Sequence, residues 1–93
     1  MSDGLRAQAH TWMNDHPIAM GLFEELAVAA ARRGRKFGAK LLAERIRWEM
    51  RIERIDEDYK INNNYVAYVA RELIKRHPML VNFISVRSTG DEA

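Results

Sequence analysis

Three histidines, the run DEDYK at 56–60 and the asparagines Asn62, Asn63 and Asn64 are the residues whose types could do chemistry. His10 has no second ligand at i+4 spacing, so no zinc pair forms on its helix. His16 and His77 each precede a proline at a helix start, where an N-cap or turn role accounts for them. Ser2, Ser85 and Ser88 lie near the ends, and no Ser, His and acid constellation can be placed around them. The five glycines are scattered singly and make no phosphate-cradling loop. With no cysteine, thiol catalysis, disulfides and cysteine-ligated zinc are excluded.

Asp58-Tyr59-Lys60 matches the acid-x-Lys half of metal-dependent nucleases, in which paired acids hold Mg²⁺ and a lysine supports the attacking water. That chemistry needs adjoining strands and a further acid, and no strand pattern accompanies it. Asp56 and Asp58 also lack the glycine and distal glutamate of a calcium loop. The run reads as a polar, solvated connector. No catalytic residue, metal site or cofactor is expected.

The asparagines allow two readings. An Asn at a helix start accepts from the unpaired N–H groups of the first turn, and Asn63 or Asn64 is the simplest cap. The others then tie the connector to its neighbours. Alternatively Asn62 and Asn64 face outward, since an Asn amide pairs bidentately with adenine and helix N-termini accept phosphate. Tyr65 and Tyr68 would flank that contact, with Arg71 and Lys75 one and two turns further on.

The elements that must position these groups follow from apolar spacing. A helix over about 5–13, capped by Asp3, aligns Leu5, Ala9 and Trp12. Pro17 starts a second helix to about Arg33, burying Ile18, Leu22, Leu26 and Ala29, with Phe23 and Ala30 alongside; Gly34 ends it. A third helix, about 36–55, is apolar on two sides. Phe37, Leu41, Trp48, Ile52 and Ile55 share one face; Ala39, Leu42, Ala43, Ile46 and Met50 share the other. Such a helix is expected to be packed on both faces at the centre of the fold, with Trp48 in the core. Of its polar strips, one holds Arg45, Glu49 and Glu53; the other holds Lys40, Arg47, Arg51 and Arg54, with Glu44 its single acid. A fourth helix over about 64–77 buries Val66, Val69, Ala70, Leu73 and Ile74, and a last helical turn or two follows Pro78. The expected fold is all-α: a compact four- to five-helix domain over 1–87, packed around the helix at 36–55, with a flexible tail at 88–93.

Charge is distributed unevenly along the chain. The net charge is +2, yet residues 32–54 carry nine bases against three glutamates, while residues 1–31 carry one base against four acids. A basic segment of this kind suits an anionic partner. No apolar run approaches the roughly 20 residues of a membrane span. The start MSDGLRAQAH lacks the basic-then-apolar order of a secretory signal, so the expected location is cytoplasmic.

The run AERIRWEMRIERIDEDYKINNNYVAYVARELIKRHPMLVNFISVR, residues 43–87, resembles a family of small proteins from bacteriophages, prophages and other mobile elements. The shared pattern is IRWE, an acid-rich step, YKINNNY, Y-x-A-R, a His-Pro break and a closing Phe and Arg. Its positions here are Arg47, Trp48, Asn62, Asn63, Asn64, Tyr68, Arg71 and Arg87; Phe83-Ile84 stands where the family usually has two phenylalanines. The resemblance implies an accessory protein that binds nucleic acid or inhibits a host protein, and carries over no catalytic residues. Two functional expectations result. The first is a non-enzymatic nucleic-acid binder, most simply of double-stranded DNA, using Lys40, Arg47, Arg51, Arg54, Asn62, Asn64, Tyr65, Tyr68, Arg71 and Lys75. The alternative is a protein-interaction module, an inhibitor or assembly factor, that sets the same strip against an acidic protein surface. The chain is expected as a monomer or a homodimer.

Overall fold

Proline and glycine set the first boundaries. In the computed structural model, which describes residues 2–86 and side chains from Gly4 onward, α1 spans Ser2–Asp15 and α2 spans Pro17–Arg32. Pro17 takes the first turn of α2, where a missing N–H leaves no bond unmade, and His16 before it is held out of the helical region at φ −127° and ψ 63°. At the far end Gly34 has φ +72°. The Arg35 N–H reaches back to the Ala30 carbonyl at 3.0 Å and that of Gly34 to Ala31 at 2.9 Å, the glycine stop expected there. His77 repeats the His16 solution with φ −133° and ψ 83° at the head of a 3₁₀ turn over Pro78–Asn82. α1 starts at Ser2, ahead of the start expected near 5, so Asp3 lies within the helix and not at its cap; the Arg87 motif position and the tail at 88–93 lie outside the described residues.

The third helix begins later than its sequence suggests. Phe37–Gly38 form a two-residue strand, β1, and α3 runs over Ala39–Trp48 before continuing as a π-helical turn over Glu49–Glu53. A 3₁₀ turn at Asn63–Tyr65 leads into α4, Val66–Arg76. After the turn at Pro78–Asn82, β2 (Ile84–Ser85) pairs parallel to β1, with Phe37 opposite Ile84 and Gly38 opposite Ser85. The Phe37 N–H bonds to the Phe83 carbonyl at 2.9 Å, and Ile84 is buried. This tie satisfies backbone that would otherwise fray at the start of α3. Apart from it the domain is all-α, with four α-helices among the described residues.

One core holds the helices together. α2 contributes Ala19, Met20, Leu22, Phe23, Ala27 and Ala31, and α4 contributes Val69, Ala70 and Leu73. The α2 face differs from expectation, for Ile18 and Ala29 are exposed and Leu26 and Ala30 half-buried. That helix is apolar most of the way round, so its own sequence selects no single face. In α4 the expected Val66 and Ile74 lie half-buried at the rim. The connector is also more than a solvated link. Tyr59, 2% exposed, and Ile61 turn inward while Asp58 and Lys60 turn out.

Candidate protein-docking face

α3 buries Leu42, Ala43 and Ile46, and Met50 continues that face into the π turn. This face packs on α2 and α4. The opposite apolar face is uncovered. Leu41 is 64% exposed, Trp48 56%, Ile52 55% and Ile55 76%. The expectation of a helix packed on both sides, with Trp48 in the core, is thereby corrected: no further element among the described residues covers the outer side. Phe37, placed on that stripe by periodicity, sits half-buried in β1 instead. Single exposed leucines are ordinary, but Leu41 and Trp48 on α3, Ile52 in the π turn and Ile55 just beyond it are four large exposed apolar side chains, a feature of the kind that marks an interaction site.

Two backbone features fall at the same end of α3. The Arg54 N–H bonds to the Glu49 carbonyl and the Asp56 N–H to the Met50 carbonyl, both at 2.9 Å, so the last turn encloses an extra residue. Such π turns are rare and are concentrated at functional sites. Ile55 then closes the helix at φ +56°, the left-handed conformation for which glycine is the usual occupant. A β-branched residue adopts it at a cost of about 1–2 kcal/mol. An exposed, strained isoleucine thus stands where the fold alone would be better served by glycine. Ile55→Gly is expected to stabilise the monomer by about 1 kcal/mol, raising the thermal midpoint by about 4–8 °C. A midpoint equal to or below that of the wild type would contradict the strain assignment.

The basic strip reaches solvent in part. Lys40 and Arg54 are exposed. Arg51 is exposed too, but its guanidinium donates to the Glu57 carbonyl at 3.3 Å and steadies the connector. Arg47 is half-buried, its charge acting on Tyr59. Arg45 pairs with Glu49 one turn on at 3.1 Å.

The Asn-rich start is organised by Asn62. Its Oδ1 accepts from the Asn64 N–H at 2.8 Å, and the Tyr65 N–H bonds to its carbonyl at the same distance. The cap is therefore Asn62 rather than Asn63 or Asn64, because a 3₁₀ turn precedes α4 and moves the start upstream. A bidentate adenine contact would need that Oδ1 free. Asn63 and Asn64 are exposed; Tyr65 and Tyr68 are half-buried against the core. Arg71 stands with its guanidinium carbon 5.4 Å from the centre of the Tyr68 ring, a cation–π contact. Lys75 is exposed.

Tyr59 closes an aromatic cluster beneath the connector. Trp12 stacks on His16 with centroids 4.4 Å apart, and Tyr59 meets both edge-on, at 6.1 and 6.4 Å. Trp12 Nε1–H donates to the Lys60 carbonyl at 2.9 Å, and His16 Nδ1 donates to the Trp12 carbonyl at 2.7 Å. The Tyr59 hydroxyl has no hydrogen-bond partner among the described residues. Burial pushes its pKa up from 10.0 to about 12, against the opposing pull of Arg47.

Elsewhere an open depression of about 460 Å³ lies between α2 and His77. Its Glu24 is already engaged, by His77 at 3.1 Å and by Arg76 at 3.6 Å, and Arg76 in turn meets Glu72 at 2.9 Å. Among the described residues no group of three or more histidines and acids is placed to hold a metal ion. No helix among them is long and apolar enough to cross a membrane. Compared with protein-family models, curated proteins and solved structures, the chain matches none.

Proposed function

We propose that this protein is a non-enzymatic protein-interaction module that docks through the outer face of α3. The observation that supports it is the uncovered stripe of Leu41, Trp48, Ile52 and Ile55. A tryptophan amid aliphatic neighbours is the residue type that dominates binding hot spots, since it removes a large rigid surface from water at little entropic cost. Lys40, Arg51 and Arg54 on the same helix favour acids on the rim of the partner. In the phage-type context that residues 43–87 resemble, the role would be that of an inhibitor or assembly factor.

The test uses the wild type and the double variant Trp48→Ser/Ile52→Ser, both checked for folding by thermal melting. A protein captured by the wild type and missed by the variant is purified and titrated directly. Micromolar or tighter binding that the double variant loses by at least about tenfold supports the docking face, since each 1.4 kcal/mol of lost hot-spot energy is tenfold. Binding unchanged by both substitutions removes the face from the function.

Nucleic-acid binding stays as a second reading because Arg32, Arg33, Arg35, Lys36 and Lys40 are all exposed in one short stretch. Anisotropy of a random duplex at about 50 and 200 mM salt addresses it through counterion release. Affinity that falls by orders of magnitude with salt, yet survives Trp48→Ser/Ile52→Ser, would move the function to nucleic acid.

A further inference from the structure

We infer that the turn joining α2 to α3 is a binding surface for a nucleic-acid phosphodiester backbone, built from Arg33, Arg35 and Lys36 with Lys40 alongside. The inference rests on the nucleic-acid reading above and gives it a site, at the other end of α3 from Ile55. Between Glu25 and Glu44 the chain holds five bases and no acid. Arg32, Arg33, Arg35, Lys36 and Lys40 are all exposed, and none of them takes part in an ion pair among the described residues. Arg32 borders the depression that holds Glu24 and Glu25, so it marks the edge of the patch.

The fold itself does not call for all of these charges. Arg32 and Arg33 close α2, where bases complement the negative pole of the helix. Arg35 and Lys36 instead stand just ahead of α3 and Lys40 lies in its first turn, at a positive pole that disfavours them, and no acid occupies that turn. An anion laid over the turn offsets both the repulsion among the bases and their opposition to the dipole.

The shape and chemistry of the turn select the kind of anion. Its backbone is fixed at both ends, since the Gly34 and Arg35 N–H groups bond back into α2 and the Phe37 N–H bonds to the Phe83 carbonyl beside the β1–β2 pairing. Holding the bases in place before a ligand arrives lowers the ordering cost of binding. Phe37 is half-buried and Ala39 buried, so no large apolar side chain is exposed between Arg32 and Lys40. A protein partner would need an apolar centre to its interface, which the turn lacks. Phosphate needs charge and forked donors, which the arginines supply. A Cβ on Gly34 or Gly38 would meet nothing within 4 Å, so the space over the turn is open to a strand laid across it. Contacts to phosphate carry no sequence information, which makes a random duplex the fitting probe.

The salt slope of binding tests the site, because it counts the phosphates engaged. A labelled random DNA duplex is titrated with the protein from about 50 to 200 mM salt, and binding through about four phosphates is expected to weaken roughly 100-fold across that range. Arg35→Glu/Lys36→Glu is expected to lose at least about tenfold in affinity and to flatten the slope by about 2. Arg35→Gln/Lys36→Gln should flatten it likewise without adding repulsion, and thermal melting checks that both variants fold. Lys60→Glu/Lys75→Glu makes the same change in net charge at exposed bases elsewhere and should keep the wild-type slope. An RNA duplex run beside the DNA names the source, since tighter binding of either one keeps the phosphate surface. Equal losses in the two Glu pairs would mean that net charge alone attracts the duplex, and would overturn the site while the nucleic-acid reading stands. Polyglutamate that competes as well as unlabelled duplex, charge for charge, overturns phosphate as the ligand. No duplex binding at about 50 mM salt overturns the site and the nucleic-acid reading together. The docking reading is tested apart from these, by the partner titration.

Discussion

Ile46→Ala is expected to cost about 2–5 kcal/mol, whereas Trp48→Ser, two residues along the same helix, should cost only about 1 kcal/mol of monomer stability. Ile46 is wholly buried, and alanine there leaves a cavity among packed neighbours. Trp48 has more than half its surface in water, so much of what its removal exposes is already wet. A domain of this size has a total stability of roughly 5–14 kcal/mol, so the first substitution can consume much of it. Urea unfolding measures both. Losses of similar size would mean that Trp48 belongs to the core, and the docking reading would fail with that result.

Tyr59→Phe should stabilise the protein by about 1 kcal/mol at neutral pH, since a buried hydroxyl without a partner loses its hydration and gains nothing in exchange. The effect should grow in alkali. With the folded pKa raised to about 12, the unfolded chain loses the phenolic proton first, near pH 10. The contribution of the neutral form is therefore fully present below about pH 10 and is lost as pH rises towards 12. Unfolding followed from pH 8 to 12 should show the gap between Tyr59→Phe and the wild type widening above about pH 10. A constant gap would mean that the ring is not desolvated. A destabilised variant would mean that the hydroxyl has a partner.

Much of the architecture was legible because it is written in local sterics. Pro17 admits only the first turn of a helix, Gly34 supplies the left-handed stop, and Pro78 breaks α4 after His77. The buried side of α4 followed from spacing, with Val69, Ala70 and Leu73 where periodicity put them. The Asn-rich start was half legible. That an asparagine caps it was expected; that it is Asn62 depended on a 3₁₀ turn that the asparagine run does not announce. The outer face of α3 was visible as an apolar stripe and expected to be core, because periodicity reports that a face is apolar and not what covers it.

The sequence by itself determined the all-α class, the breaks at Pro17, Gly34 and Pro78 and the two apolar faces of α3, since each follows from dihedral limits and helical spacing within a few residues. Only the tertiary structure decided which of those faces is covered. It also turned Tyr59 and Ile61 inward from a polar connector and joined Phe37 to Ile84 across the chain. These outcomes depend on how many elements are available to pack and where the chain returns. The local sequence offers α3 two apolar faces, but the described elements cover one, and Trp48 is left exposed.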